Sequence, residues 1–178
     1  MNVADWDPIE RLSKTLELFQ LYRDEARKCG EAGAHLAGCV LLGSAMEAAL
    51  LAMAQCFAED VEGVVKDCRA KELSRPPSEW SLSQLLLLAR NLGWLPSAGA
   101  PQDRLDPGKA EIGDYAEVVR AIRNLLHPSI YLRECPDKAI SQGHLEFSFR
   151  VLEAACSCLH DALLQAKGFP DAERGYYP

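Results

Sequence analysis

The chain contains no glycine-rich phosphate loop, no strand–turn–helix pattern and no internal repeat. P-loop and dinucleotide-binding folds need a loop that cradles phosphates between a strand and a helix, so both are excluded. A surplus of positive charge is also missing. The formal net charge is −7, whereas an extended grip on nucleic acid leaves a basic face as its footprint. Any contact with RNA is therefore local. Cysteines occur at positions 29, 39, 56, 68, 135, 156 and 158, yet no two Cys or His pairs stand at zinc-ligand spacing. Cys156 and Cys158 are two residues apart, which on a helix points them in different directions, and they read as small core residues. No metal and no cofactor are expected. An odd number of thiols in apolar segments, with no signal-peptide pattern ahead of them, fits a reduced cytoplasm.

Residues 36–58 are apolar apart from Ser44, Glu47 and Gln55, which is long enough to resemble a membrane span. Glu47 sits in the middle, where a carboxylate in lipid is costly, and no basic cluster flanks the segment. The expectation is a central helix covered by amphipathic neighbours, with no membrane contact.

What is present is ordinary globular material: 178 residues, 48% apolar and 25% charged, enough for a domain that buries most of its apolar surface. One domain is expected over residues 1–168, with a loosely held tail at 169–178. Apolar periodicity and breakers give five main helices and no convincing strand, so the predicted fold is an all-α, antiparallel helical bundle. The first helix spans about residues 8–29, from Pro8 to a stop at Gly30, with Ile9, Leu12, Leu16, Phe19 and Ala26 on its inner stripe. The second, at about 33–57, carries Gly38, Gly43, Ser44, Ala45, Ala48 and Ala49, small residues that let neighbouring helices approach closely. It is placed at the centre.

A shorter helical piece covers 61–73, before Ser74-Arg-Pro-Pro-Ser. Ser81 and Gln84 form a capping-box pattern that opens a third main helix running to about Gly93. Three prolines and two glycines make residues 96–108 a connecting loop. The fourth main helix covers about 109–126, and a loop then runs from Pro128 through Pro136. The fifth covers about 141–167, with Leu145, Phe147, Val151, Leu152, Ala155, Leu159 and Leu163 inward. His35, His144 and His160 stand singly in helical patterns and read as structural.

The chemistry-bearing stretch is Tyr115-Ala-Glu-Val-Val-Arg120-Ala-Ile-Arg123-Asn124-Leu-Leu-His127-Pro128. Arg123 and His127 are four residues apart and Arg120 and His127 seven, so one face of an α-helix carries all three, with Asn124 at its edge. The other side offers Ala116, Val118, Val119, Ile122, Leu125 and Leu126 for packing. Pro128 disfavours helical geometry at His127, which places the imidazole beside the negative end of the helix macrodipole, a position that favours a cation. Guanidinium groups next to an imidazole suit an anionic ligand such as phosphate. The bland counterpart has the arginines solvated or paired with carboxylates, and His127-Pro128 a helix stop. Glu47, on the central helix, needs a partner, and Arg120 or Arg123 is the leading candidate. Such a pair either fixes an arginine for phosphate or neutralises it as a strut.

In order and spacing, three blocks resemble the HEPN superfamily of all-helical domains, which includes RNA-cutting toxins and nucleases of prokaryotic defence. They are Glu47-Ala-Ala-Leu50 in the central helix, Ser81-Leu-Ser-Gln-Leu85 at a later helix start, and Arg123-Asn-Leu-Leu-His-Pro128. The resemblance covers most of the chain and implies a HEPN-like bundle. The family's active motif is an Arg followed, after four to six residues, by His, often with a polar residue directly after the Arg. Here Arg120 has six residues before His127 but is followed by Ala121, and Arg123 has Asn124 but only three residues before His127.

The resemblance implies metal-independent scission of single-stranded RNA at a homodimer cleft, by a toxin or defence effector whose protein partner is an antitoxin. It implies proton transfer by His127, phosphate stabilisation by one or both of Arg120 and Arg123, and orientation of His127 or the ribose by Asn124. Family members with altered motifs are non-catalytic, so the alternative is a HEPN-like dimer that binds RNA, nucleotide or a protein partner. A purely structural helical subunit of a larger complex is the third reading.

Overall fold

The computed structural model describes residues 7–67, 77–97, 112–134 and 139–166. Among them the chain is helical, as the periodicity predicts, with no strand. The helices are α1 (Pro8–Glu31), α2 (His35–Cys56), α3 (Ala58–Asp67), α4 (Leu82–Asn91), α5 (Ile112–Asn124), α6 (Pro128–Glu134) and α7 (Gln142–Ala166), with a 3-10 turn at Pro77–Glu79. The end of the 61–73 piece, most of the 96–108 loop, Lys109, Cys68, Cys135, Pro136 and the 169–178 tail lie outside the described residues.

Local chemistry explains where the helices begin and stop. The Asp7 carboxylate accepts from the Ile9 N–H at 3.3 Å, and Pro8 occupies the first turn, where a missing N–H costs nothing. α1 runs past Gly30 and stops at Gly33, whose φ of 73° is a left-handed conformation that disfavours a β-carbon. Gly30 stays helical and serves packing instead, since a β-carbon there would meet Leu145 Cδ2 at 2.9 Å. Gln84 Oε1 accepts from the Ser81 N–H at 2.8 Å, the expected capping box, and Gly93 ends that helix with φ 71°. His144 does the same for α7, its Nδ1 accepting from the Ser141 N–H at 3.2 Å.

The core forms around α2, which packs against α1, α4, α5 and α7. Leu42, Met46 and Leu50 of α2 are fully buried, with Leu85, Leu86 and Leu88 of α4, Val119 of α5 and Leu152 of α7. Each such side chain contributes about 1.5–3 kcal/mol of transfer free energy. By length and composition α2 could cross a membrane, but 56% of its apolar window is buried inside the protein.

α1 and α2 are antiparallel: the Ala26 carbonyl lies against Gly38 near their connection, and Gln55 Nε2 donates to Thr15 Oγ1 at 3.1 Å towards the far end. α7 runs beside α2 in the same direction, with Leu145 against Gly38 and Leu159 sharing a groove with Met53. The bundle is thus not antiparallel throughout, because the elements between α2 and α7 carry the chain back to the end where α2 began.

The structure corrects several sequence expectations. On α1 the buried face follows Thr15 and Ala26, with Phe19 and Tyr22 half-buried, so Ile9 and Leu16 fall off it and Ile9 is 77% exposed. Val118 and Leu126 are likewise exposed, and Phe147 is half-buried. The segment after Pro128 is the short helix α6 and not a loop, since Pro is favoured at a first helical position. All the described cysteines are free; Cys39 is buried, Cys156 and Cys158 are half-buried, and Cys56 is exposed.

Candidate functional site

The motif helix is seated from its first turn. The Gly113 N–H donates to the Pro96 carbonyl at 2.8 Å, and a β-carbon at Gly113 would stand 2.7 Å from that oxygen. The buried Asp114 accepts from Ser97 Oγ at 2.6 Å. These contacts fix α5 against the end of the α4 segment.

Arg123 crosses α2 at Gly43, where its aliphatic stem takes the space a side chain would fill. One turn further along α2, its Nη1 lies 2.7 Å from Glu47 Oε2, so the anticipated partner of Glu47 is Arg123 and not Arg120. Both side chains are 30% exposed. Glu47 Oε2 is buried and receives no aligned hydrogen bond, so charge and not a directed N–H holds this pair.

Arg120 belongs to a second set. Its Nε donates to Glu117 Oε2 at 2.6 Å, while Nη2 of Arg90, from α4, donates to Glu117 Oε1 at 2.5 Å. Glu117 is 9% exposed, Arg90 23% and Arg120 32%. Sequence reasoning missed Arg90 and Glu117. Glu117 and Arg120 stand at i, i+3, a pairing legible in the sequence, whereas only packing brings α4 to them.

His127 is exposed and Asn124 half-buried. The His127 N–H donates to the Asn124 carbonyl at 3.0 Å, and its own carbonyl accepts from Ile130 at 3.0 Å and Tyr131 at 2.9 Å. It therefore ends one helix and caps the next, so the positive end of α6 adjoins it as well as the negative end of α5. The bonds from Leu125, Leu126 and His127 reach back three residues, to Ile122, Arg123 and Asn124, so α5 tightens into a 3-10 turn. That tightening turns each residue about 20° further than an α-helix does, and the single face drawn through Arg120, Arg123 and His127 does not continue unbroken to the imidazole. Among the described residues no hydrogen bond or ion pair joins the His127 ring to another side chain, and no three of His, Cys, Asp and Glu gather as metal ligands.

The five charged side chains leave a cationic surplus: Arg90, Arg120 and Arg123 against Glu47 and Glu117, three positive charges to two negative. Such an arrangement can orient guanidinium forks towards an anion. Comparison with family models, with curated proteins and with solved structures finds no match to this chain.

Proposed function

We propose that the chain is a HEPN-type endoribonuclease that cuts single-stranded RNA at the cleft of a two-fold homodimer. One observation carries the reading: an exposed His127 ends the helix that bears Arg120 and Arg123, both anchored by carboxylates and both with guanidinium donors to spare. Attack by a ribose 2′-hydroxyl on the adjacent phosphorus needs a base for that hydroxyl, an acid for the departing 5′-oxygen and cations for the phosphorane. A single imidazole cannot do both proton tasks at once, and a two-fold axis supplies His127 twice. One His127 takes the 2′ proton as the new O–P bond forms. The His127 of the second copy protonates the 5′-oxygen as its bond to phosphorus breaks. The products are a 2′,3′-cyclic phosphate and a 5′-hydroxyl. Arg120 and Arg123 stabilise the phosphorane, and Asn124 orients the imidazole or ribose.

The test is incubation of purified protein with single-stranded RNA in chelator. Cleavage to a cyclic phosphate is expected from the wild type and none from folded His127→Ala; equal cleavage by both sinks the mechanism. Growth arrest on expression in a bacterial host, relieved by His127→Ala, supports a toxin or defence role that calls for an antitoxin.

A second reading is favoured by a specific observation: Arg120 and Arg123 are each already engaged by a carboxylate, and α5 gives way at Asn124. It makes the chain a non-catalytic HEPN-like dimer that holds RNA, nucleotide or an acidic partner. Arg120→Ala and His127→Ala then weaken RNA binding, and the wild type cuts nothing.

A further inference from the structure

We propose that Arg90 of α4, outside the Arg–His motif, is a third phosphate-binding guanidinium of the site, held beside Arg120 by Glu117; this rests on the RNA reading above. Glu117 is the only carboxylate, among the described residues, bridging two arginines: one oxygen takes Arg90 Nη2 and the other Arg120 Nε. A single carboxylate neutralises one guanidinium, not two. The residual charge is partly withdrawn from water, with Arg90 at 23% and Arg120 at 32% exposure, and an incoming anionic oxygen relieves it. Donors remain for that oxygen. Arg90 spends Nη2 on Glu117 and Nε on the Leu86 carbonyl at 3.4 Å, leaving Nη1, while Arg120 keeps both terminal nitrogens. Glu117 is thus a positioning residue that sets two forks side by side, as a phosphodiester with two free oxygens requires.

A strut that merely ties α4 to α5 has the same contacts, and counterion release separates the two. Each phosphate neutralised on a single strand adds about 0.7 to the slope of log affinity against log salt. The measurement is binding of a fluorescent 2′-O-methyl single-stranded RNA, which cannot be cut, over a potassium chloride series. Arg90→Ala is expected to weaken binding about tenfold and flatten the slope by about 0.7, with Arg90→Lys restoring the slope because the charge returns. Glu117→Gln, which turns one accepting oxygen into a donor and so releases one of the two arginines, is expected to weaken binding and flatten the slope. The proposal is overturned if the wild type binds with a salt-dependent affinity and Arg90→Ala loses only thermal stability, its slope unchanged. It is overturned equally if Arg90→Ala does not fold and folded Glu117→Gln binds with unchanged affinity and slope. No binding by the wild type overturns it together with the RNA reading.

Discussion

Gly43 of α2 lies beneath Arg123 of α5: a β-carbon at position 43 would stand 2.8 Å from Arg123 Cδ and 2.9 Å from Arg123 Cβ. Glu47, one turn along the same face of α2, then meets the guanidinium. The missing side chain sets how closely the two helices approach, and the approach decides which arginine the carboxylate reaches.

Gly43→Ala tests that dependence. Alanine gains up to about 1 kcal/mol of helix propensity, while overpacking costs about 1–3 kcal/mol, and Arg123 Cβ sits too near its own backbone to swing away. The expected outcome is a net loss of about 1 kcal/mol in urea unfolding. Gly63 of α3, where a β-carbon would meet nothing within 4 Å, is the control. Gly63→Ala is expected to stabilise by about 0.5–1 kcal/mol, and equal effects at the two positions would refute the packing account.

The two carboxylates of the site are expected to differ in worth. Glu117→Ala removes a buried carboxylate and leaves two half-buried guanidinium groups facing each other without a counter-charge, and is expected to cost about 2–4 kcal/mol, below the fully buried case because water reaches both arginines. Glu47→Ala opens a pair that is 30% exposed on both sides and is expected to cost about 1 kcal/mol or less. Urea midpoints at constant m-value measure both, and a larger loss at Glu47 would reverse the assignment.

The cap of α7 is a histidine where Glu or Gln is usual. His144→Ala removes the acceptor for the Ser141 N–H and is expected to cost about 0.5–1 kcal/mol, with fraying confined to the first turn of α7. Hydrogen exchange along the helix resolves the location. Protection lost evenly over α7 would show that the contact is not a cap.

Burial pushes the thiols of Cys39 and Cys156 above their ordinary value, against the smaller opposing pulls of a hydrogen bond from Ser148 on Cys39 and of nearby Arg23 on Cys156. A raised folded value means the thiols stabilise the fold fully below the unfolded value, near about pH 8.5, and progressively less as pH rises towards the folded value. Stability is therefore expected to fall as pH rises above about 8.5, and less steeply in Cys39→Ala/Cys156→Ala than in the wild type. Parallel slopes for the two proteins would remove the thiols from the explanation. Among the described cysteines, aromatic disulfide reagents are expected to label exposed Cys56 first and Cys39 last.

Much of the fold was legible because helix signals are local. Pro8, the Ser81–Gln84 box and the apolar run of α4 act within one or two turns, and each stands where the sequence places it. The misses have tertiary causes. Gly30 and Gly33 are both plausible stops, and only Leu145, arriving from α7, shows that the first is a packing site. Hydropathy drew Ile9 and Leu16 into the α1 stripe although the face met by α2 is centred on Thr15 and Ala26. In the site, a partner for Glu47 was foreseeable because a carboxylate on a central helix needs one. Arg90 was not, since nothing within reach of α4 along the chain marks it.

By itself the sequence determined the all-helical architecture and the central place of the second helix, since hydrogen bonds between residues three or four apart and apolar periodicity are written in local order. Tertiary structure alone decided that Arg123 takes Glu47, that Glu117 holds Arg90 beside Arg120, and that α7 runs with α2. The physical reason is range: a guanidinium reaches a carboxylate only within about 4 Å, and distances that short between helices are set by which glycines let their backbones meet.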